Sequence, residues 1–516
     1  MAAHETQITG NKLLITIATM VAALVSVLDI SIVNVALNDI RASFGTPLDQ
    51  IAWVSTGYAM ANITVIPISG WLQRRFGFRR YFAGSILLFT AASALCALAW
   101  NLPSLVVFRI IQGIGGGAII PTSQNILFSR YPRNEHGMAG ALFALGAITG
   151  PLLGPTIGGY LIEWASWHWI FLINVPLGVF AALLAYRNIK EEGFEPTRAP
   201  IDTQGIALLG VGMVALQYVL EEGNRDGWFD DARISFLAVV ALVCLVTFVV
   251  HELETEHPVI DLRVFKDRTY VAATALNFLF GTALFAGSFL FSLYCGTVMH
   301  YQAKDIGLLF LKGSWIQVLI MPLVGKFMGK FDARAMIAVG LVGIFWSLWA
   351  NSQLTSQADT HALLVPIFIR ACFLGLCFVP LSVVALSGLS PAKRGSGAGL
   401  FNLTRELGGS IGLAWMSTLL NNNTRQFASD LSKHVDVYGE ATVEALRSAQ
   451  NGVGMRLYDG AAGALSIIGL RIQGQALMRA FNHSFLTLAF FFAGSLLLVL
   501  LLKRADPAVK VDAAGH

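Results

Sequence analysis

The chain has 516 residues, of which 55% are hydrophobic and only 13% charged, with a mean hydropathy of +0.65. Soluble domains carry about a quarter charged residues, so this composition excludes a soluble globular protein and points to a bilayer. The formal charge of +4 comes from short Lys and Arg clusters between apolar runs, not from a basic face, and nucleic acid is not indicated as a partner.

The five cysteines, Cys96, Cys244, Cys295, Cys372 and Cys377, lie in apolar stretches without CxxC spacing or nearby histidines. They predict neither a metal site nor a disulfide framework. Residues 1–12 read as a polar tail. The apolar run from Leu13 to Leu37 is too long for a signal-peptide core and contains Asp29, so it reads as a retained first span.

Runs long enough to cross a ~30 Å hydrocarbon core predict fourteen transmembrane helices. In chain order they cover 13–38, 52–73, 80–100, 103–129, 137–162, 169–187, 204–222, 233–252, 270–298, 305–328, 334–350, 362–389, 397–421 and 480–502. Basic residues fall in alternate connections: Arg74, Arg75, Arg79 and Arg80; Arg130 and Arg133; Arg187, Lys190 and Arg198; Arg263, Lys266 and Arg268; Lys326, Lys330 and Arg334; Lys393 and Arg394. That asymmetry predicts both termini in the cytoplasm, with Lys503 and Arg504 closing the last helix. Residues 422–479 read as one long external loop.

An internal repeat sets Gly70, Arg75, Phe76 and Arg79 beside Gly325, Lys330, Phe331 and Arg334 at the same offsets. A weaker echo sets Arg109 and Pro121 beside Arg370 and Pro380. Two parallel six-helix halves account for both. The expected organisation is an N-terminal half at 1–190, a linker with two inserted helices at 191–265, and a C-terminal half at 266–516.

The fifth helix carries Gly146, Gly150, Gly154 and Gly158 at steps of four, with Pro151, Pro155 and Gly159 among them. Such a stripe admits a second backbone at close range, and each proline removes a backbone donor. This pattern resembles the signature of major facilitator antiporters. Leu28-Asp29 through Asn34 to Leu37 is similar to the first-helix signature of the fourteen-span drug:proton antiporters, the EmrB/QacA type. Arg109-Ile-Ile-Gln112-Gly113 resembles their fourth-helix motif, Trp169 to Pro176 their sixth-helix entrance, and Gly70 to Arg80, with Gly77, the superfamily's loop signature. The loop signature usually has an acid four residues after its first Gly, where this chain has Arg74. The resemblance, closest to the EmrB branch, implies an all-α major facilitator fold in a Gram-negative inner membrane. It also implies a periplasmic adaptor and an outer-membrane channel as partners.

Asp29 lies about 16 residues into the first helix and Arg109 about 6 residues into the fourth, which places both in the outer half of the bilayer. A lone charge in hydrocarbon costs about 3 kcal/mol, so the two are expected to pair or share a hydrated cavity. Desolvation opposes a charge on Asp29 that Arg109 favours, so a movement that parts them would change its hold on a proton. Asp29 is the expected proton carrier, and the resemblance gives these positions the same roles. A static pair that fixes helix register is the competing reading.

Glu406 is a second candidate for proton coupling. Arg405 and Glu406 lie near the midplane, where Glu406 either binds a cationic cargo or a proton, or pairs with Arg405 or Lys312. Lys312 and Arg370 would favour anionic or zwitterionic cargo, or equally serve as counter-ions for Glu406. Asn34 and Gln112 complete the candidate substrate contacts.

The chain contains no Walker loop and no HExxH, GxSxG or Cys-His cluster, so a proton gradient rather than ATP or a cofactor is the expected energy source, and catalysis is not expected. The predicted activity is proton-coupled export of lipophilic drugs or toxic amphiphiles. The alternative is a carrier for one metabolite or siderophore, including anionic ones.

Overall fold

The computed structural model describes residues 7–194, 200–328, 330–433 and 460–502. The helices are α1 (Lys12–Phe44), α2 (Trp53–Phe76), α3 (Phe78–Ala97), α4 (Leu102–Arg130), α5 (His136–Trp164) and α6 (Trp169–Leu172 continuing as Asn174–Asn188). Then come α7 (Thr203–Glu222), α8 (Ala232–Glu254), α9 (Arg268–Thr297) and α10, broken into Ala303–Ser314 and Gln317–Phe327. The chain continues with α11 (Ala333–Asn351), α12 (Thr360–Ser387), α13 (Pro391–Lys433) and α14 (Gly460–Val499). All fourteen predicted spans are helical, and twelve are long and apolar enough to cross a membrane among the described residues. The two that are less apolar, α2 and α13, pack against each other between the halves, where Gly, Ser, Asn and Arg face protein instead of lipid.

Aspartates mark the starts of five helices. Asp202, Asp231, Asp267, Asp332 and Asp359 each accept a backbone N–H of the first turn of α7, α8, α9, α11 and α12. Asn101 and Ser104 form a reciprocal capping box on α4.

Two expectations are corrected. The segment 422–479 is not simply loop: α13 continues to Lys433 and α14 begins at Gly460. Hydropathy marks where a helix leaves hydrocarbon, not where its hydrogen bonding stops. The polar tail is also partly structured, because Gln7–Thr9 (β1) pairs antiparallel with Lys190–Glu192 (β2), beyond α6. Arg198, Lys503 and Arg504 lie outside the described residues.

The repeat corresponds to matching contacts between the halves. A Cβ on Gly70 of α2 would stand 2.5 Å from the carbonyl carbon of Gly395 at the start of α13. A Cβ on Gly325 of α10 would stand 2.7 Å from the carbonyl oxygen of Gly137 at the start of α5. The second helix of each half therefore meets the fifth helix of the other, backbone to backbone, at the end that carries the basic connections. That basic end is also joined by Asn402 of α13, which donates to Gln124 of α4 at 2.5 Å, and by Arg74, which donates to Ser396 at 3.2 Å. At the opposite end Lys304 of α10 pairs with Glu163 of α5 at 2.8 Å.

The inserted helices α7 and α8 pack on each other and against one seam between the halves. Tyr218 of α7 lies against Trp53 of α2, with ring centroids 5.8 Å apart. Gln217 donates to Ser410 of α13 at 3.2 Å, and Trp228 to Thr418 at 3.1 Å.

Candidate functional site

The glycine stripe of α5 holds α1 at close range. Cβ atoms on Gly146, Gly150 and Gly158 would fall within 2.8 Å of Met20, Val27 or Leu28, and Ile32 respectively. Ser31 donates to the Gly150 carbonyl at 3.1 Å. Pro151 and Pro155 lie inside this continuous helix. Gly159 faces the other way, toward Lys304, so α5 presents small residues to both halves.

This packing fixes the register of α1 beside α4 and places Asp29 opposite Arg109. One Asp29 oxygen accepts from Arg109 Nη1 at 2.5 Å, while the other accepts from Gln112 Nε2 at 2.9 Å and Asn174 Nδ2 at 2.8 Å. Arg109 also donates to the Val54 carbonyl at 3.0 Å and to Gln112 Oε1 at 2.8 Å. Its guanidinium carbon lies 4.1 Å from the centre of the Tyr58 ring. Asn174 bonds on to Ser93 at 3.1 Å, which donates to the Phe171 carbonyl at 2.9 Å. Asp29 is 0% and Arg109 1% exposed. A charge pair this dry persists because Asp29 accepts from three donors while Arg109 donates through Nε and Nη1 and packs on the Tyr58 ring. One buried acceptor, Asn174 Oδ1, lacks a partner.

The other candidates do not converge on one place. Gln112 belongs to the Asp29 network, whereas Asn34 is exposed and accepts from Ser55 at 3.0 Å. Arg405 and Glu406 pair with each other at 3.2 Å, with Glu406 the more open of the two. Lys312 does not reach Glu406. It is exposed on the same side of α10 as Trp315, Leu319 and Leu323, away from the face that buries Phe310, Gly313 and Gln317. Arg370 donates to Ser288 of α9 at 3.1 Å.

The loop-signature residues form a small lock around β2. Gly77, at φ +81°, begins α3, and the Glu191 carboxylate accepts from the next two backbone N–H groups, Phe78 at 2.6 Å and Arg79 at 3.3 Å. A Cβ on Gly77 would fall 2.7 Å from that carboxylate. Arg79 donates to the Tyr186 carbonyl near the end of α6 at 2.7 Å, while Arg75 lies half-buried in the last turn of α2. Motif reading missed Tyr58, Ser93 and Glu191. The first two are neutral residues of a kind common in any span, and Glu191 lies in a linker.

The family model for the Major Facilitator Superfamily matches residues 19–413. The chain is 34% identical over 434 residues to the multidrug export protein EmrB of Haemophilus influenzae, an alignment covering 83% of this chain and 84% of that one. It is 32% identical to the fatty acid resistance protein FarB of Neisseria gonorrhoeae, with 97% of both chains covered. Among solved structures, the proton:xylose symporter XylE superposes with a TM-score of 0.60 at 14% identity, covering 96% of this chain and 97% of that one. The paired halves, the glycine-packed fifth helix and these matches lead to one assignment: the chain belongs to the major facilitator superfamily, within its EmrB-type family.

Proposed function

We propose that this protein exports lipophilic compounds across the bacterial inner membrane in exchange for protons, by alternating access, with Asp29 as the proton carrier. The observation that carries this reading is the buried Asp29 network. A transporter that hydrolyses nothing needs a group whose charge depends on conformation, and Asp29 is held by donors on two other helices, α4 and α6. Accepting a proton on either oxygen costs one of those contacts, so protonation and helix separation are coupled.

The basic end is closed in this conformer by Gly70 against Gly395 and by Gln124 against Asn402. On our reading that both termini are cytoplasmic, this closed end faces the cytoplasm, and rocking of the halves would open it and carry the Asp29 proton to inward release. One proton entering in exchange for a neutral molecule moves one charge, worth about 2.3 kcal/mol per 100 mV. A proton-motive force of ~150 mV would then sustain a gradient of roughly a few hundredfold.

The names of the relatives, multidrug export and fatty acid resistance, support a lipophilic cargo. The extension of α13 past residue 421 to Lys433 projects a helix ~18 Å beyond the predicted span, which suits docking of a periplasmic adaptor. Proton flux into proteoliposomes tests the reading. Adding a lipophilic substrate should release protons in the wild type and not in Asp29→Asn, and export by that variant at the wild-type rate would sink the assignment.

A further inference from the structure

The two halves share more than their glycine contacts. In the first, Arg109 on the fourth helix reaches Asp29 on the first helix and lies 4.1 Å from the ring of Tyr58 on the second. In the second, Arg370 on the fourth helix of that half reaches Ser288 on its first helix and lies 5.6 Å from the ring of Phe310 on its second. The arrangement is repeated with two changes: a phenyl ring stands where the first half has a phenol, and where the first half supplies a carboxylate the second supplies a hydroxyl.

Arg370 points into the bundle. It falls on the α12 stripe of Leu363, Ile367, Leu374 and Phe378, which are all buried, and opposite the exposed Val365 and Phe368. No carboxylate lies within ion-pair distance of it among the described residues, and Glu406 is engaged by Arg405. The side chains around the Ser288 turn are apolar: a Cβ on Gly287 would meet Leu348 at 3.6 Å and Leu488 at 3.9 Å, beside the Arg370 guanidinium at 3.7 Å. Arg370 and Ser288 both keep part of their surface open. A guanidinium kept in a low-dielectric interior without a counter-charge favours any anion that can reach it.

We propose that Arg370 and Ser288 form the head-group site for a lipophilic monoanion, a carboxylate with an alkyl or aryl tail, the guanidinium and hydroxyl donating to the carboxylate while Phe310 and its apolar neighbours cover the tail. The inference rests on the export reading for its purpose, but binding alone can be tested. The probes are dodecanoate and dodecyltrimethylammonium, which share a chain and differ in charge, bound at equilibrium to the full chain in phosphatidylcholine nanodiscs with no proton gradient. The wild type should bind dodecanoate about tenfold more tightly than the cation. Arg370→Gln should lose about tenfold in dodecanoate affinity and leave the cation unaffected.

Ser288→Asp gives the second half the internal pair of the first, so it should also expel dodecanoate while remaining folded, and it decides the matter if Arg370→Gln does not assemble. Wild-type dodecanoate affinity in Ser288→Asp, or equal affinity of the wild type for both probes, overturns the proposal. Failure of the export reading would appear differently, as absent proton flux with this binding intact.

Discussion

Gly154 of the fifth helix lies so close to Ser31 of the first that a Cβ there would fall 1.8 Å from the serine hydroxyl oxygen. Nothing larger than glycine fits without moving α1, and α1 carries Asp29. Overpacking of a well-filled interior costs about 1–3 kcal/mol. Gly154→Ala should therefore lower the thermal transition of the detergent-solubilised protein and slow transport. Adding Ser31→Gly, which removes the clashing side chain, should restore most of both. An unchanged melting temperature in Gly154→Ala would mean that the helices are not held this closely.

The Asp29–Arg109 pair should show strong non-additivity. Removing one member of a buried ion pair leaves the other uncompensated, at a cost of about 3–5 kcal/mol, whereas removing both does not. Asp29→Asn and Arg109→Gln should each destabilise more than the double variant does. All three should lack substrate-driven proton flux. A double variant whose loss equals the sum of the singles would show that the two side chains do not interact in the membrane.

Closure of the basic end should depend on Gly70. In Gly70→Val the new side chain would meet main-chain atoms of Gly395, which cannot rotate away. The equilibrium should shift toward conformers open at that end. A cysteine at Gln124, in a chain whose five native cysteines are replaced, should then react with a polar maleimide about tenfold faster than with Gly70 present. Equal rates would place the closing contact elsewhere.

Glu191 should give the β1–β2 lock a pH dependence. Burial pushes its carboxyl above the usual range, against the opposing pull of the Phe78 and Arg79 N–H groups and the Arg79 and Arg80 charges. A carboxyl whose folded value is raised contributes its stability below the ordinary carboxylate range and loses it as pH rises through the raised value. Relative to Glu191→Gln, the wild type should gain thermal stability as pH falls from about 7 into the upper carboxylate range. A gap between the two that does not change with pH would exclude this titration.

The pairing of Asp29 with Arg109 was legible because helical rise is constant and charges in hydrocarbon are few, so counting residues from each bilayer edge places both at one depth. Asn174 appeared only as part of a quoted motif, and its contact with Asp29 depends on how α6 is rotated, which one chain's pattern does not encode. Glu406 left two partners open, and proximity along the chain favoured Arg405 over Lys312. Lys312 shows the limit of charge as a signal: a lysine within an apolar run reads as functional until the face it occupies is known. The continuation of α13 to Lys433 escaped notice because Asn421 to Lys433 is polar, and a helix outside hydrocarbon needs no apolar composition. The three-residue strands are too short for periodicity to register.

The inserted pair, α7 and α8, lies on one seam only. Through Tyr218, Gln217 and Trp228 it binds α2 to α13, whereas no further helix covers the seam between α5 and α10 among the described residues. The molecule is thus built like a book, with a spine on one long edge and a fore-edge on the other. If the halves rock as proposed, the unspined edge is the one along which they would part further, and the side by which a lipid-dissolved compound would enter.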